Sequence, residues 1–396
     1  DRSRFRMFFS NSKNTSLRTR GMSTFDLPHQ TAQTVQQKPN YVRSQSMMPT
    51  NVVMFADDLT GACDAGVAFS MHGLSTRVLM PTASDSDTGN MVVRAHTLES
   101  RNLTPTDADV AQRAACSAER RRNSCPTMVF KKIDSTIRGN VGVEIDALMD
   151  EFSMDLCIFA PAMPKSGRTT VGGYQLLNGV PVDRTSMAKD PGSPVASAYI
   201  PSLFKRERRL KVDLVGLDTD PRAAILLAAA QSIGGGQRTV LVIDAVTDDD
   251  LIAVAKAAAA ILPQLTARGD GMMPKLLVAG SAGLAFAMCA AVFPNQCTAQ
   301  PISVVSCMAP RPHHAPVVVV SGTPQPVTIE QLKVLRNDVN IDVVDLIKGG
   351  EGSNRVLVAE VTDKATENQV LSQAVAALKR SAAGVVATGG STATEV

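Results

Sequence analysis

The segment 130–142 carries the densest group of side chains that could do chemistry. It reads FKKIDSTIRGNVG and contains two lysines, an aspartate, two hydroxyl side chains and an arginine. An apolar run at 127–130 precedes it, and apolar residues at helical spacing follow at 143–148. The pattern predicts a polar turn between a buried strand and a helix. Charges of both signs in such a turn suit a small anionic ligand that carries hydroxyl groups.

Two adjacent carboxylates, Asp57 and Asp58, follow the apolar run 52–56 and precede a helical pattern. Such a pair can hold Mg²⁺ or remove a proton from a hydroxyl group, and the start of a helix favours anions. A structural alternative is that one of them only caps the helix. Phosphatases of the haloacid-dehalogenase type need aspartates two residues apart at this position, so the adjacent pair disfavours that class.

Three cations, Arg101, Lys132 and Arg138, are expected at the same edge of the predicted sheet as the two carboxylates. Arginine and lysine together suit a ligand with a carboxylate group. Each of them alone would be interpreted as a solvated surface charge. Their clustering favours a binding site.

Three predicted strand-to-helix turns, at 280–283, 321–323 and 388–392, are rich in small residues. Each would direct free backbone N–H groups and hydroxyls toward an anion at the start of a helix. One such turn is weak evidence, because glycine there also permits tight packing. Three of them favour a site for a polyphosphate.

Strand-like and helical patterns alternate from Asn51 onward and must position these residues. The predicted strands are 52–56, 76–80, 91–95, 127–131, 156–160, 211–215, 239–243, 317–320, 341–344 and 384–387. The predicted helices are 60–72, 105–120, 141–152, 195–206, 221–232, 248–261, 327–336 and 363–379, and 276–293 is predicted to be a strand, a tight turn and a helix. The alternation predicts an α/β fold with two domains whose sheets are largely parallel, and with ligands at the carboxyl ends of the strands.

Two segments interrupt the alternation. Residues 161–194 show no regular periodicity, which is typical of a lid or ligand loop. A Pro-rich connector at 294–316 separates the first unit, 51–293, from the second, 317–396. The sequence has no Walker A motif and no GxGxxG after a strand, so P-loop and dinucleotide folds lack their usual support.

Composition excludes several classes of function. The net charge is +3, but residues 1–50 hold eight of the 40 basic residues, and the remainder is close to neutral. A near-neutral body without tryptophan disfavours nucleic-acid binding. The seven cysteines form no CxxC pair and are interpreted as reduced core thiols of an intracellular protein. The uncharged run 276–293 contains glycines and is interpreted as buried, so no membrane span is predicted.

Residues 1–50 are rich in Arg, Ser, Thr and Gln and poor in acids. They are interpreted as a disordered tail or as an organellar targeting segment. The protein is accordingly expected in the cytoplasm, or in a mitochondrion or another organelle if this segment is a targeting signal.

Several ordered motifs from Asn51 onward resemble those of four-carbon acid sugar kinases. They include FADDLTGACDAG at 55–66, KKIDSTIRGNVGVEIDAL at 131–148, GSAGLA at 280–285, VVSGTPQPVTIEQ at 319–331 and ATGGSTA at 387–393. Within this family, KKIDSTIRGN resembles the D-threonate/D-erythronate kinase branch. The resemblance implies an acid-sugar-binding domain at 51–293, a nucleotide-binding domain at 317–396, and ATP-dependent phosphorylation of the 4-hydroxyl group of a tetronate.

The resemblance also implies roles for individual residues. Substrate contacts would fall on Asp57, Asp58, Arg101 and the Asp134–Gly139 loop, which includes Ser135 and Arg138. Arg101 and Arg138, with Lys132, would hold the carboxylate of the tetronate, and Asp58 or Asp134 would deprotonate the attacking hydroxyl group. ATP contacts would fall on Ser281, Gly389, Gly390, Ser391 and Thr392. Mg²⁺ would bridge the ATP phosphates, and its protein ligands are not predicted.

Relatives in this family continue past the TGG turn, whereas this sequence stops at Val396, so the nucleotide-binding domain is expected to be incomplete. Two alternatives therefore stay open, a truncated non-catalytic protein that binds ATP or a metabolite, and a Mg²⁺-dependent phosphatase. The expected binding partner is a small acid sugar, and binding to nucleic acid or to a membrane is not expected. The formation of a homodimer is left open.

Overall fold

Fifteen strands and seven α-helices form within the residues that the computed structural model describes. Those residues are 51–81, 93–122, 126–205, 207, 210–232, 237–266, 275–293, 317–321, 326–337, 342–345, 355–360 and 384–388. The strands are β1 (Val52–Ala56), β2 (Thr76–Leu79), β3 (Val93–Thr97), β4 (Met128–Lys132), β5 (Leu156–Ala160), β6 (Arg168–Val171), β7 (Tyr174–Leu177), β8 (Val180–Pro181), β9 (Leu210–Val215), β10 (Arg238–Ile243), β11 (Leu276–Gly280), β12 (Val317–Ser321), β13 (Asp342–Asp345), β14 (Arg355–Glu360) and β15 (Gly384–Thr388). The helices are α1 (Leu59–Met71), α2 (Pro105–Arg121), α3 (Val141–Glu151), α4 (Pro221–Ser232), α5 (Asp248–Thr266), α6 (Ala282–Val292) and α7 (Pro326–Asn337).

The largest sheet has eight strands in the order β2-β3-β1-β4-β11-β5-β10-β9, and its strand pairs are parallel. The last residues of neighbouring strands lie in register, because Ala56 pairs with Thr97 and with Lys132, and Lys132 pairs with Gly280. The segments that follow β1, β3, β4 and β11 therefore leave the sheet at one edge.

Both faces of this sheet are covered, which explains why its central strands are largely apolar, apart from the two lysines that end β4. Alternate residues such as Met54 and Phe130 pack with side chains of α1, α4, α5 and α6 on one face. Their neighbours Phe55 and Val129 pack with α2 and α3 on the other face. Full burial of each such side chain contributes roughly 1.5–3 kcal/mol, so the two cores hold the strand ends firmly in place.

The segment 161–194 was expected to lack regular structure, and this prediction is wrong in part. It contains the three-stranded antiparallel sheet β6-β7-β8. Its strands have four, four and two residues, which is too short for a clear alternating pattern. Two glycine turns with positive φ, at 172–173 and 178–179, connect them.

The predicted helix at 195–206 is also wrong. Only a 3-10 helix forms there, at Ile200–Phe204, with Pro201 in its first turn. The preceding backbone pairs with the small sheet instead, because Gln175 N–H donates to the Ala198 carbonyl and Ile200 N–H donates to the Gly173 carbonyl. These long-range bonds override the local helical pattern.

A second parallel sheet has the order β13-β14-β12-β15. The sequence predicts three of its strands and α7 to within about two residues, but misses β14. The predicted helix at 363–379 and the connector at 294–316 lie outside the described residues. The α/β fold class with largely parallel sheets is confirmed. Among the described helices, none combines the length and the apolar character needed to cross a membrane.

Candidate active site

Arg101 joins the loops that follow β1, β3 and β4. Its Nε donates to Asp57 Oδ2 at 2.7 Å, and its Nη1 lies 2.6 Å from Asp58 Oδ2. Its Nη2 lies 3.9 Å from Asp134 Oδ1. The loops meet because the three strands end in register, so residues that are distant in sequence share one cluster. The structure thus brings together Asp57, Asp58, Arg101 and Asp134, as the sequence predicts.

Arg138 is held by two carboxylates. Its Nε and Nη2 each donate to Asp134 at 2.9 Å in a bidentate pair, and its Nη1 donates to Asp190 Oδ2 at 3.0 Å. The other oxygen of Asp190 accepts the N–H groups of Gly192 and Ser193, so one aspartate both closes the turn at 190–193 and holds Arg138.

Asp58 has two roles in the structure. Its Oδ1 accepts the Gly61 N–H at 2.7 Å and caps α1, but capping is not its only contact. Its Oδ2 faces Arg101. Burial raises the pKa of Asp58, while Arg101 and Lys132 oppose the rise and Asp57 adds to it.

Asp134 shows the opposite shift. Burial alone would raise the pKa of Asp134, but the hydrogen bonds and charge of Arg138 outweigh it and hold the pKa well below its usual range. Arg101 and the hydroxyl of Thr136, which donates to Asp134 Oδ2, act in the same direction. Asp134 therefore keeps its negative charge and is a poor acceptor of a proton.

Two polar groups of the site have no hydrogen-bond partner in the described part of the chain. Lys132 as a residue is 4% exposed, and its ammonium group makes no hydrogen bond or ion pair there. Asp57 Oδ1 is fully buried and likewise has no hydrogen-bond partner among the described residues. Because buried polar atoms are nearly always paired, the Asp57 oxygen indicates where a ligand would bind, and the ammonium group of Lys132 is available to an anion.

Lys132 and Asp58 approach the backbone at the start of α1. A Cβ atom at Gly61 would lie 2.6 Å from Asp58 Oδ1 and 2.8 Å from Lys132 Nζ. Glycine is therefore required at Gly61 for both groups to come this close. This juxtaposition places a positive charge beside the carboxylate whose pKa is raised.

The backbone of the loop after β4 is strained. Ile137 has φ of +57°, which is rare for a β-branched residue, and Gly139 has φ of +90°. A Cβ atom at Gly139 would lie 3.4 Å from Arg101 Cγ and 3.5 Å from Asp57 Oδ2. Backbone strain of this kind is found where a loop must present particular groups.

The small sheet supports this loop from the side. Gln175 is fully buried, and its amide donates to the Ser135 carbonyl at 2.6 Å while its oxygen accepts the Thr170 hydroxyl at 2.7 Å. The carboxylate of Asp244, just after β10, accepts the N–H groups of Gly172 and Gly173. Sequence reasoning assigned no role to Gln175 or to Asp244.

The predicted nucleotide contacts are only partly described. Ser281 is buried and caps α6, because its hydroxyl donates to the Ala162 carbonyl at 2.6 Å and accepts the Gly283 N–H at 3.0 Å. Gly389, Gly390, Ser391 and Thr392 lie outside the described residues, so their assignment stays a prediction. Among the described side chains, no group of three or more His, Cys, Asp or Glu could hold a metal ion.

Comparison with known proteins shows the family of the chain. Residues 52–288 match the family described as Sugar-binding N-terminal domain, and curated relatives are four-carbon acid sugar kinases. The chain belongs to the four-carbon acid sugar kinase family. The matched range includes the two carboxylates, Arg101, Lys132 and the Asp134–Gly139 loop.

Three relatives illustrate the similarity. A D-erythronate kinase from Heliobacterium modesticaldum is 37% identical over 43% of this chain and 39% of its own length. A D-threonate kinase from Salmonella typhimurium is 33% identical over 64% of this chain and 57% of its own length. A 3-oxo-tetronate kinase from Burkholderia multivorans is 34% identical over 55% of this chain and 51% of its own length. The chain thus spans roughly half the length of these relatives.

Solved structures share the fold. A Haemophilus influenzae protein aligns with a TM-score of 0.60 at 24% identity and covers 87% of both chains. A domain of unknown function from Bordetella bronchiseptica, with bound citrate and described as a domain-swapped dimer, has a TM-score of 0.51 at 27% identity. That comparison covers 88% of this chain and 84% of the other.

Proposed function

We propose that this chain is an ATP-dependent kinase that phosphorylates the 4-hydroxyl group of a four-carbon acid sugar of the D-threonate or D-erythronate type. The observation that carries the proposal is that two groups lack a hydrogen-bond partner among the described residues, the buried Asp57 Oδ1 and the ammonium group of Lys132, a residue that is 4% exposed. A cation and an acceptor oxygen at one edge of the sheet match the carboxylate and hydroxyl groups of a tetronate. The kinase names of the relatives support the same reaction.

Lys132 is proposed to hold the carboxylate of the substrate. Arg101 and Arg138 were expected to do so from the sequence, but their N–H groups face Asp57, Asp58, Asp134 and Asp190. In the proposal, the arginines fix the aspartates, and Asp57 Oδ1 accepts a hydrogen bond from a hydroxyl group of the sugar. Ser135 and Gly139 form the adjoining wall.

Asp58 is proposed as the general base. Its raised pKa makes it a better proton acceptor than Asp134, whose pKa is lowered. Asp58 would orient the attacking hydroxyl group and take its proton as the new bond forms. Asp134 is proposed to keep Arg138 and Arg101 in place as a permanent negative charge.

ATP, when bound, supplies the phosphoryl group, and Mg²⁺ bound to its phosphates neutralises negative charge. We place the contacts with ATP at Gly389, Gly390, Ser391 and Thr392, with Ser281 at the start of α6. The fit of these residues to ATP is part of the proposal, as is the division into 51–293 and 317–396. The substrate residues act mainly by positioning, which is the principal requirement of phosphoryl transfer.

The experiment is an assay of ADP release over a panel of D-threonate, D-erythronate, 3-oxo-tetronate and the uncharged tetritols. We expect ADP release that depends on a tetronate and not on a tetritol. Phosphate release from a phosphorylated tetronate without ATP would favour the phosphatase alternative. ATP binding without turnover on any acid sugar would favour the non-catalytic alternative.

We further propose that the protein works in the cytoplasm as a homodimer. The description of the Bordetella protein as a domain-swapped dimer supports the second part. Light scattering of the purified protein would test it, and a monomeric mass at micromolar concentration would contradict it.

A further inference from the structure

A cluster of buried polar side chains lies behind the site and takes no part in the proposed reaction. Glu144 on α3 pairs with Lys131 Nζ at 2.5 Å through one oxygen and accepts the Ser100 hydroxyl at 2.6 Å through the other. Lys131 Nζ also donates to Gln112 Oε1 at 3.1 Å. None of these four side chains belongs to a residue more than 1% exposed.

Burying a charge pair is costly, and well-packed apolar residues of similar volume stabilise a core as well or better. The cluster is therefore poorly explained by stability alone. Two of its members directly precede a cation of the site, since Lys131 precedes Lys132 and Ser100 precedes Arg101. Glu144 thus links the end of β4, which carries Lys132, to the loop after β3, which carries Arg101.

Ser100 is held by three residues. Its hydroxyl bonds to Glu144, its N–H donates to the Asp57 carbonyl at 2.9 Å, and its carbonyl accepts the Asn140 amide at 3.0 Å. The next residue, Arg101, spans Asp57 and Asp58. A shift of Ser100 would move the guanidinium group that orients both carboxylates.

We propose that Ser100 and Glu144 are positioning residues, which fix the Arg101 guanidinium group between Asp57 and Asp58 and so set the geometry for substrate. This role goes beyond the contacts that the family resemblance implies. The test of this role by kcat/KM rests on the proposed kinase function, whereas the test by hydrogen exchange at Arg101 does not.

The test compares Ser100→Ala with Ser232→Ala. Ser232 is 2% exposed and donates to Thr239 Oγ1 at 2.7 Å, between α4 and β10, so its variant loses an equally buried serine hydroxyl. We expect Ser100→Ala to lower kcat/KM for the tetronate about 10- to 100-fold, while Ser232→Ala changes it less than about twofold. Thermal unfolding should place the two variants at similar stability.

The second readout is the NMR signal of the Arg101 Nε–H group, assigned by its loss in Arg101→Lys. Its hydrogen bond to Asp57 should slow exchange with water in the wild-type protein and in Ser232→Ala, and Ser100→Ala should speed this exchange about tenfold or more. If Ser100→Ala matched Ser232→Ala in this exchange, the positioning role would be refuted even with kinase activity intact. A faster exchange in a protein without tetronate turnover would support the positioning role and refute the kinase proposal.

Discussion

Asp58 and Asp134 are both buried, yet their surroundings shift their pKa values in opposite directions. Asp134 receives two hydrogen bonds from the Arg138 guanidinium group, so its ionised form is stabilised. Asp58 shares Arg101 with Asp57, and burial outweighs this attraction. When the pKa values of two carboxylates in one site are shifted in opposite directions, one can accept a proton while the other stays charged.

Asp58→Asn is expected to lower kcat on the order of 10²- to 10⁴-fold, because the variant cannot accept a proton. In the wild-type protein kcat should fall as pH decreases through the pKa of Asp58, which lies above that of an ordinary aspartate since burial disfavours the charge. A pH profile of kcat checks this limb, which should vanish in the variant.

The control is Asp64→Asn, which removes the same charge from an exposed position on α1. Asparagine can still cap the helix, so Asp58→Asn should unfold at a temperature close to that of the wild type. If kcat of Asp58→Asn still fell at low pH as in the wild type, the general base would be another residue.

Lys132→Met is expected to raise KM for the tetronate about 10- to 100-fold, because a hydrogen bond to a charged group contributes about 1.5–3 kcal/mol. The variant should also lose most of the preference for a tetronate over the matching tetritol. Lys165→Met is the control, since the Lys165 side chain is 84% exposed. Retained discrimination in Lys132→Met would show that another group holds the carboxylate.

At the scale of elements, the site depends on a strained loop that two other segments hold. The loop after β4 passes through Ile137 and Gly139 with positive φ, and its Arg138 donates to Asp190. The small sheet β6-β7-β8 holds the same loop through Gln175, which donates to the Ser135 carbonyl. The segment 161–194, which the sequence predicts to be irregular, thus contains a small sheet that supports the loop.

Gly139→Ala and Gly179→Ala form a matched pair that tests this view. Their φ values are +90° and +79°, so each alanine should cost roughly 1–2 kcal/mol of stability. A Cβ atom at Gly179 would have no other atom within 4 Å, whereas one at Gly139 would face Arg101 and Asp57. We expect kcat/KM to fall about tenfold or more in Gly139→Ala only. Equal kcat/KM values for the two variants would show that the contacts of Gly139 with Arg101 and Asp57 do not matter for the reaction.

At the scale of the whole molecule, the apolar cores fall into separate groups. The two clusters around the eight-stranded sheet contain only residues between Val52 and Phe293. Val319 and Leu332, on β12 and α7, belong to another cluster among the side chains that the structure describes. This separation supports the proposed division of the chain at the Pro-rich connector.

Residues 51–293 expressed alone are expected to unfold cooperatively, because both clusters of the large sheet are then complete. D-threonate should raise the unfolding temperature, since a ligand that binds only the folded state stabilises it. ATP-dependent turnover should be absent. Non-cooperative unfolding, measured by calorimetry, would contradict the proposed domain boundary.

Local sequence patterns were enough to predict the fold class and the edge of the sheet where the site lies. Strands covered on both faces are largely apolar, and parallel connections bring their ends together, so Asp57, Asp58, Arg101 and Asp134 could be placed from these patterns. The short strands of the small sheet could not be predicted, since their formation depends on backbone hydrogen bonds to distant segments such as 198–200.

The pairing of the charges, in contrast, could be known only from the folded chain. Arg101 and Asp57 are 44 residues apart, and Arg138 and Asp190 are 52 apart, so no local pattern could show either of these two contacts. The same is true of the buried Lys132 and Asp57 Oδ1 and of the opposite pKa shifts of Asp58 and Asp134. Residue types carry the charges, but electrostatic interactions depend on distance and burial, which exist only once the chain has folded.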